Sequence, residues 1–391
     1  MISVDEALSQ LFALVGPLGP ETVQLQDAAG RVLADRARAR RDQPPFSASA
    51  MDGYAIANRD ARPGATLSVV GEAAAGHGFA GAVGPGQAVR IFTGAPVPEG
   101  VDRVVIQEDV TRDGDSITLR DTLDGGPHIR LRGADFADGD AVDPPRRLSA
   151  ADVALLAAMN VPAVTVVRKP DVALISTGDE LVMPGEDPGP DQIVASNTFG
   201  LKAMLEAAGA RARILPIARD TTASLETAFD LARGADLVVT IGGASVGDHD
   251  LVGDVAASMG MERAFYKVRM RPGKPLMAGR MGDAAMVGLP GNPVSAMVCG
   301  HVFLLPMIGA MLGLGQAPAP RRTAVLAEDL GPNGPREHYM RARLRGDGTI
   351  SANARQDSAL LSVLAASDAL LVRPPQDPPR HAGECVDYIA L

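Results

Sequence analysis

The chain has 391 residues, of which 46% are hydrophobic and only 3% aromatic, so its cores must be built mainly from aliphatic side chains. Chains longer than ~250–300 residues usually form several hydrophobic cores, which predicts roughly two to four domains. The formal net charge of −10 argues against an extended nucleic-acid surface, because phosphate backbones bind clustered Lys and Arg. An anionic ligand must therefore meet a local basic patch.

Cysteine usage and hydropathy indicate the compartment. Cys299 and Cys385 have neither CxxC nor metal-ligand spacing, which favours a reducing cytoplasm without disulfides. The N-terminus lacks the basic region of a secretory signal and is interpreted as part of the mature fold. The apolar stretch Val294–Leu314 contains His301 and Pro306, which favours a buried helix over a membrane span.

Capping signals predict two early helices. Ser3 and Glu6 have the spacing of a capping box before a run with helical periodicity. Ser149 and Asp152 repeat this signal before a helix that continues to about Met159. These helices are interpreted as packing elements and not as carriers of catalytic residues.

Residues 44–137 change to short β-like runs separated by Gly, Pro and Asp-Gly turns, which predicts an inserted β domain. Within it, the sequence SAMDGYA carries Asp52, and the sequence TGAP begins at Thr93; each is typical of a turn when taken alone. Strands are predicted at Thr66–Val70, Ala88–Ile91, Arg103–Gln107 and Ser116–Leu119.

Arginines then alternate before a glycine. If Ile129–Arg132 is extended, Arg130 and Arg132 share one side of the strand, close to Asp135. Guanidinium groups suit phosphate or another tetrahedral oxyanion. The alternative is a solvated edge with local salt bridges.

Beyond about residue 170 strands alternate with helices, which predicts a doubly wound parallel sheet covered on both faces. Ligands bind such sheets outside the carboxyl ends of the strands. The predicted strands are Val172–Ser176, Arg213–Ile217, Leu237–Ile241, Ala264–Val268 and Ala284–Gly288, and the predicted helices are Asn197–Ala208, Ser224–Arg233, Leu251–Met259 and one that begins at Pro293.

Four loops that follow these strands carry groups suited to a ligand. Two of them bring carboxylates, and a third, GGASVGDHD, combines glycines whose N–H groups can approach an anion with carboxylates suited to Mg²⁺. The fourth, LPGNP, starts a helix whose positive end can face a ligand. A plain strand–turn–helix corner explains any one loop, but four together favour a functional rim. Its residues are Asp179, Glu180, Asp220, Gly242, Gly243, Ser245, Gly247, Asp248, Asp250, Gly291, Asn292 and Pro293.

The segment KVRMRPGKP supplies the complementary positive charge. If Lys267–Arg271 is extended, Lys267, Arg269 and Arg271 share a face, and a Pro-Gly turn brings Lys274 beside them. In an acidic chain this cluster indicates an anion site. A solvated basic edge strand is the alternative.

A Pro-rich linker, APAPRR, precedes a predicted small C-terminal β domain. Its strands are predicted at Thr323–Ala327, Tyr339–Leu344, Ala369–Val372 and Glu384–Ile389. The polar run Gln356-Asp357-Ser358 is typical of a turn when taken alone.

Six motifs, SAMDGYA, FTGAPVPEG, STGDEL, GGASVGDHD, KVRMRPGKP and GLPGNPVSA, occur in this order and together closely resemble the molybdopterin molybdenumtransferase family, the bacterial counterparts of the gephyrin E domain. The resemblance covers essentially the whole chain. It implies a multidomain α/β plus β fold: a central doubly wound parallel molybdopterin-binding-like domain, an inserted β domain, an elongated α+β linker domain and a small C-terminal β-barrel-like domain. The resulting division is 1–43 with 138–169 (linker domain), 44–137 (inserted β domain), 170–316 (α/β domain) and 317–391 (C-terminal β domain).

The resemblance also implies an activity. Members of the family use Mg²⁺ to insert molybdate into adenylylated molybdopterin, release AMP and form molybdenum cofactor. They resemble elongated homodimers with an active cleft that involves both subunits. The further expectations are contacts with the molybdopterin adenylyltransferase and with proteins that mature molybdoenzymes, and no nucleic-acid or membrane partner.

Taken together, the resemblance and the rim assign roles to individual residues. The expected catalytic residues are Asp52, Glu180, Asp220, Asp250, Lys267 and Lys274; the expected substrate-binding residues are Thr93, Arg130, Asp135, Gly242, Gly243, Ser245, Arg271, Gly291, Asn292, Pro293 and Ser358; and the expected Mg²⁺ ligands are Glu180, Asp220 and Asp250.

Three positions depart from the family pattern, and two other functions remain open. Ala134 stands where an acidic residue is common, Arg271 where a Lys is common, and Ala244 where a larger aliphatic residue is common. The first alternative is a paralogue that binds and hands on the cofactor without catalysis. The second is a nucleotide hydrolase that shares only the α/β domain, against which the DGY and RPGKP segments count.

Overall fold

The computed structural model describes residues 1–243 and 251–391. The predicted site residues Ser245 and Asp250, and with them Ala244, Gly247 and Asp248, lie outside the described residues. The described chain divides into two compact units: Met1–Glu21, Gly30–Ala34 and Val166–Leu391 form one, and Thr22–Ala29 and Asp35–Thr165 form the other. The predicted four-domain division and its edges stay a prediction.

The smaller unit is built around a six-stranded sheet. Along Gly53–Ile56, Tyr54 and Ile56 belong to one apolar cluster and Ala55 to another, because successive strand residues point to opposite faces. Both faces of the sheet are therefore packed. The strand order is Arg103–Ile106, Gly53–Ile56, Gln87–Ile91, Thr66–Ala73, Ser116–Leu119 and Val110–Asp113, in which only the pair Thr66–Ala73 and Gln87–Ile91 is parallel.

Short elements complete this unit and its boundaries. Ala48–Ser49 pairs with Ile129–Arg130, and Ala37–Arg38 pairs with Ala141–Val142. The predicted Ser149 capping box is confirmed before the helix Ala150–Ala158. The remaining short strands are Pro20–Gln24, Val32–Leu33, Arg146–Arg147 and Ala163–Val167, and the 3₁₀ turns are Leu25–Asp27, Asn58–Asp60 and Gln107–Asp109.

The larger unit contains a second six-stranded sheet, covered by helices as predicted. Its first four strands are parallel, and the last two are antiparallel additions at one edge. The order is Arg211–Ile214, Asp171–Ser176, Leu237–Ile241, Ala284–Leu289, Met277–Met281 and Met261–Tyr266, and Leu181–Val182 pairs separately with Ile193–Val194.

The helices of this unit end close to their predicted positions. The capping box of Ser3 and Glu6 is confirmed at the start of Val4–Leu14. Among the described residues, one continuous helical run, Pro293–Met311, is long and apolar enough to cross a membrane by length and composition, and 78% of its most apolar window is buried inside the fold. The helices are Val4–Leu14, Asn197–Ala207, Thr222–Leu231, Leu251–Ser258, Pro293–Cys299, the π-helical Gly300–Leu304, and Leu305–Met311.

The C-terminal strands close into a small barrel. Ala369–Arg373 pairs with Glu337–Leu344 and so joins the two ends of a five-stranded ring. The interior is filled by aliphatic and aromatic side chains such as Ile350, Leu371 and Tyr388. Around the ring the order is Glu337–Leu344, Thr349–Ala352, Arg322–Leu326, Cys385–Ala390 and Ala369–Arg373, with Met270–Arg271 paired outside it and the helix Leu361–Ala365 between two strands.

The strand Met277–Met281 was not predicted from the sequence. It carries Gly279, and a Cβ atom there would lie 2.4 Å from the carbonyl oxygen of Glu262 on the neighbouring strand. The glycine hides the alternation that signals a strand, yet it is what permits the close approach.

We expect Gly279→Ala to destabilise the α/β sheet by about 1–3 kcal/mol, because the new methyl group would contact backbone that cannot move aside without breaking the sheet. Urea unfolding followed by circular dichroism measures this. The matched control is Gly309→Ala in the helix Leu305–Met311, where a Cβ would meet no described atom within 4 Å. The control is expected to be neutral or up to about 1 kcal/mol more stable. Equal unfolding midpoints for the two variants would contradict this account.

Candidate active site

An open cleft of about 580 Å³ lies in the larger unit where the strand order reverses. The first strand, Asp171–Ser176, has the second strand, Arg211–Ile214, on one side and the third, Leu237–Ile241, on the other. Ligands of open α/β sheets bind at the carboxyl ends of the strands at such a switch point. Five of the predicted site residues line this switch-point cleft: Glu180, Gly242, Gly291, Asn292 and Pro293.

Glycines at 242 and 243 are required by backbone geometry. Gly242 has a φ of +99°, and a Cβ there would lie 2.6 Å from the carbonyl oxygen of Thr177. Gly243 has a φ of +66°, and its Cβ would lie 2.3 Å from a methyl carbon of Val252. The predicted glycine loop therefore begins as expected, with backbone packed against the end of the first strand.

Glu180 lies in the loop that follows the first strand, and its carboxylate folds back over Gly178. A Cβ at Gly178 would lie 2.3 Å from one carboxylate oxygen of Glu180, and Gly178 has a φ of +145°. The positive φ favours a glycine at 178, and a side chain there would displace the carboxylate of Glu180. The carbonyl oxygen of Glu180 accepts a hydrogen bond of 2.8 Å from the N–H of Ile193. Glu180 is thus held from both sides while its exposed carboxylate borders the cleft.

Asp220 lies in the loop after the second strand and is tied to the Glu180 loop through the backbone. The N–H of Asp220 donates to the carboxylate of Asp179 at 3.1 Å. Gly178 donates its N–H to the carbonyl of Ala218 at 3.0 Å. The two predicted acidic loops therefore form one hydrogen-bonded unit.

The helix start at Pro293 is partly capped by the C-terminal barrel. Asn292 makes no side-chain cap; its amide donates to the hydroxyl of Ser358 at 3.1 Å. The N–H of Val294 donates to the carbonyl of Ser358 at 3.0 Å. Ala359, the next residue, lines the cleft. The structure thus places the predicted residue Ser358 beside Asn292, and one N–H expected to face a ligand is already bonded.

The basic segment Lys267–Arg271 is not one extended strand, and the prediction that its cations share a face is wrong. Lys267 has a φ of +75°, which turns the chain between Met261–Tyr266 in the α/β sheet and Met270–Arg271 beside the barrel. The alternation of a single strand therefore does not apply. The ammonium of Lys267 lies 4.9 Å from the centre of the Tyr266 ring, a cation–π contact. Lys274 is half-buried next to Pro275, which lines the cleft.

Arg341 is a buried cation that the sequence analysis missed. Its side chain is 0% exposed, and its Nη2 donates to the carbonyl of Asp357 at 3.0 Å. Its Nε and Nη1 have no hydrogen-bond partner among the described residues. Burial, reinforced by the nearby charge of Arg271, lowers the pKa of Arg341. The predicted strand Tyr339–Leu344 carries two arginines, Arg341 and Arg343, and its sequence alone does not show that the first is buried and the second exposed.

His338 lies close to the same cations. Burial, followed by the charges of Arg271 and Arg341, lowers its pKa to about 4. The imidazole is therefore neutral at pH 7, and the positive charge of this corner belongs to the arginines. Arg271 is brought here because it pairs with His338 in the parallel register of the two strands.

In the smaller unit, the predicted residues Asp52 and Thr93 are in direct contact. The N–H and the hydroxyl of Thr93 each donate to one carboxylate oxygen of Asp52 at 2.7 Å. These bonds, with a smaller contribution from the charge of Arg90, lower the pKa of Asp52. Arg90 lies over the rings of Tyr54 and Phe92, at 5.1 and 4.7 Å from their centres. It also donates to the carbonyl of Gly53 at 3.1 Å, which holds the residue next to Asp52.

The predicted pair Arg130 and Asp135 lines a second, open cavity of about 570 Å³ in the smaller unit. The expected extended run Ile129–Arg132 is wrong, because the strand ends at Arg130. Arg132 forms an ion pair with Asp42 instead, and the cavity lining does not include it. Of the two predicted arginines, Arg130 lines this cavity and Arg132 does not.

The carboxylates can be tested as magnesium ligands. No group of three or more His, Cys, Asp or Glu side chains with metal-binding spacing occurs among the residues 1–243 and 251–391. Glu180 and Asp220 are exposed oxygen donors on adjacent loops, and the third predicted ligand, Asp250, lies outside the described residues. Mg²⁺ is commonly held by one or two carboxylates together with substrate phosphates and water. Glu180 at the border of the cleft and Asp220 on the adjacent loop fit that pattern as two carboxylates.

The fold and the cleft define a class: a doubly wound α/β protein with a cleft at the switch point of its sheet, whose border is completed by a small β-barrel. Family models agree with this organisation. Residues 2–160 match the MoeA N-terminal region (domain I and II), residues 173–310 match a "Probable molybdopterin binding domain", and residues 323–391 match the MoeA C-terminal region (domain IV).

Whole-length relatives then fix the family. The molybdopterin molybdenumtransferase of Nostoc sp. is 37% identical over 393 residues, covering 96% of this chain and 90% of the relative. That of Haemophilus influenzae is 37% identical over 331 residues, covering 84% and 82%. A crystal structure of a molybdopterin biosynthesis MoeA protein from Pyrococcus horikoshii OT3 superposes with a TM-score of 0.86 at 27% identity, covering 100% of both chains. The chain belongs to the molybdopterin molybdenumtransferase family, and the resemblance seen in its motifs is confirmed.

We expect Thr93→Val to raise the pKa of Asp52 part of the way back toward its ordinary value of 3.8, because one of the two donors to the carboxylate is lost while the N–H bond remains. The wild-type carboxylate stays ionised to lower pH, and the variant protonates earlier as the pH falls. A ¹³C NMR titration of labelled aspartates measures this. Thr111→Val, at an exposed strand position, is the control. An unchanged or lower pKa in Thr93→Val would refute the assignment.

Proposed function

We propose that this chain catalyses the Mg²⁺-dependent insertion of molybdate into adenylylated molybdopterin, with release of AMP. The observation that carries the proposal is the switch-point cleft, which brings the glycine backbone at Gly242, the carboxylate of Glu180 and a barrel loop to one place. Family membership supports the same activity, since the relatives carry the name of this transferase. The substrates are small anions, which agrees with a local positive corner in a chain of net charge −10.

Arg341 supports an oxyanion site beside the cleft. A buried guanidinium with two unpartnered nitrogens is costly. An anion that displaced the groups covering Arg341 and accepted from both nitrogens would offset that cost. Arg271 adds charge next to it. Lys274, which follows the Pro-Gly turn, is proposed as a further cation of this site. We assign molybdate, a tetrahedral dianion, to this corner.

Glu180 and Asp220, with Asp250 as the expected third ligand, would hold Mg²⁺ against the phosphate oxygens of the substrate. When bound there, the ion supplies charge neutralisation at the pyrophosphate-like linkage. Hydrogen bonds from Asp220 to Asp179 and from Gly178 to Ala218 orient the two acidic loops. Gly242 and Gly243 let the backbone approach the anion closely.

The reaction needs no nucleophilic side chain. Water adds to one phosphorus of the anhydride, the bond from that phosphorus to the bridging oxygen breaks, and two phosphomonoesters result, one of which is AMP. Molybdenum remains Mo(VI): the two dithiol sulfurs bind it, and one oxo group leaves as water with the two thiol protons. Positioning and electrostatics can carry phosphoryl chemistry of this kind.

Roles are also proposed for the charged residues of the smaller unit. Asp52, ionised and fixed by Thr93, is the proposed catalytic carboxylate there, and Arg130 with Asp135 is the proposed substrate contact. A homodimer, a cytoplasmic location and contacts with the adenylyltransferase and molybdoenzyme-maturation proteins belong to the same proposal. A carrier paralogue that binds without catalysis is the alternative.

We expect Glu180→Gln to keep adenylylated molybdopterin bound but to reduce molybdate-dependent AMP release to a small residual rate, because the amide has the shape of the carboxylate without its charge. Binding is measured by isothermal titration with Mg²⁺, and AMP is quantified after molybdate addition. Glu226→Gln, an exposed glutamate on the helix Thr222–Leu231, is the matched control. Tight binding without AMP release by the wild type would favour the carrier, and no binding would refute both functions.

We expect Arg341→Met to have opposite effects on stability and on molybdate use. Without an oxyanion, its unfolding midpoint should equal or exceed that of the wild type, because an unpaired buried charge is removed. Its apparent KM for molybdate should rise about 10-fold or more, since charged hydrogen bonds contribute about 1.5–3 kcal/mol each. Molybdate should raise the midpoint of the wild type but not of the variant.

The control for this prediction is Arg343→Met, which removes an exposed arginine from the same strand. It should leave the molybdate KM and the molybdate-induced stabilisation at wild-type values. If molybdate stabilises Arg341→Met as strongly as it stabilises the wild type, the oxyanion does not bind Arg341.

A further inference from the structure

Arg219 reaches from the loop after the second strand to the loop that carries Glu180. Its Nη1 lies within hydrogen-bond distance of three carbonyl oxygens of that loop: those of Gly178 at 3.4 Å, Asp179 at 2.9 Å and Leu181 at 3.1 Å. The N–H of Arg219 is itself anchored on the hydroxyl of Ser224 at 2.9 Å. One guanidinium from a fixed backbone thus contacts the carbonyl oxygens of three of the four residues 178–181.

These contacts enclose Glu180 in particular. The carbonyls of the residues before and after it, Asp179 and Leu181, both bind Arg219, whereas its own carbonyl accepts from Ile193. Both peptide groups of Glu180 are therefore fixed in orientation. Its carboxylate, folded over Gly178, is left at the border of the switch-point cleft.

The same contacts join the two acidic loops. Arg219 precedes Asp220, whose N–H is held by the carboxylate of Asp179. Each loop binds the other: the guanidinium of Arg219 donates to carbonyls of the Glu180 loop, and the carboxylate of Asp179 in that loop accepts from the N–H of Asp220. The relative placement of Glu180 and Asp220 is thereby set by side chains that do not line the cleft.

We propose that Arg219 is a positioning residue that sets the orientation of the Glu180 carboxylate by binding the carbonyl oxygens of the turn around it. This rests on the proposed function, in which Glu180 acts on the substrate. Arg219 itself does not line the cleft, so its proposed action is through Glu180. A displacement of about 1 Å at a catalytic group can cost about 10²-fold in rate, so loss of the guanidinium should be visible in kcat.

The test compares Arg219→Gln, Arg219→Lys and the control Arg233→Gln, each alone and in the Glu180→Gln background. Arg233 is an exposed arginine paired with Asp230 at the end of the helix Thr222–Leu231. The readouts are single-turnover AMP release, thermal unfolding and deuterium exchange of residues 177–183.

Arg219→Gln should lower AMP release about 10- to 100-fold and speed exchange of the turn, with an unfolding midpoint close to that of the wild type. Arg219→Lys should recover part of the rate, because an ammonium can bind some of the same carbonyls. In the Glu180→Gln background, Arg219→Gln should cause little further loss of residual activity, because both changes act through one group.

Two results would overturn the inference: wild-type rate and exchange in Arg219→Gln, or an equal fold-loss in both backgrounds, which would show that Arg219 acts independently of Glu180. Failure of the proposed function has a different signature. In that case Glu180→Gln alone would release AMP at the wild-type rate, while exchange of the turn in Arg219→Gln would still increase.

Discussion

The parallel pairing of Asp171–Ser176 with Leu237–Ile241 is the constraint on which the site depends. Ser176 lies opposite Ile241 in the register, so the two strands end at the same level. The next N–H, that of Thr177, donates to the carbonyl of Ile241, and Gly242 donates in turn to Leu289. Three loops therefore leave the sheet side by side. Any side chain at 242 would collide with Thr177, so the glycine is a consequence of this register and of the close approach it forces.

The barrel completes the site through a short series of contacts. Arg341 binds the carbonyl of Asp357, and Ser358, the next residue, binds Asn292 and caps the helix that begins at Pro293. The buried guanidinium thus supports the loop that borders the cleft. The chain as a whole is acidic, so it can attract an anion only where several of its positive charges lie close together. Placing Arg271 next to Arg341 achieves this concentration because a strand of the α/β unit pairs with the barrel.

Much of the α/β fold could be predicted, because alternating apolar strands and capped helices produce clear periodicities; Leu237–Ile241 has the predicted bounds. The rule that ligands bind at the carboxyl ends of the strands also identified Glu180, Gly242 and Asn292 as cleft residues. Two kinds of feature could not be predicted from the sequence. A positive φ at Lys267 has no pattern signature, since non-glycine residues adopt it only under tertiary constraint. The partners of Arg132 and Arg341 are distant in sequence, so neither the ion pair with Asp42 nor the burial could be inferred locally.

Two arginines near the site show how burial separates positioning from binding. Arg219 is exposed, so it keeps much of its hydration, and binding three backbone carbonyls requires no counter-charge. Its contribution is geometric. Arg341 is fully buried and its side chain has one carbonyl partner. The charge of Arg271 adds to the effect of burial and lowers the pKa of Arg341 further. Desolvation of such a group is unfavourable unless an anion joins it. An arginine therefore orders a loop where it stays exposed to water, as Arg219 does. Where it is buried, as Arg341 is, binding of an anion would be favourable.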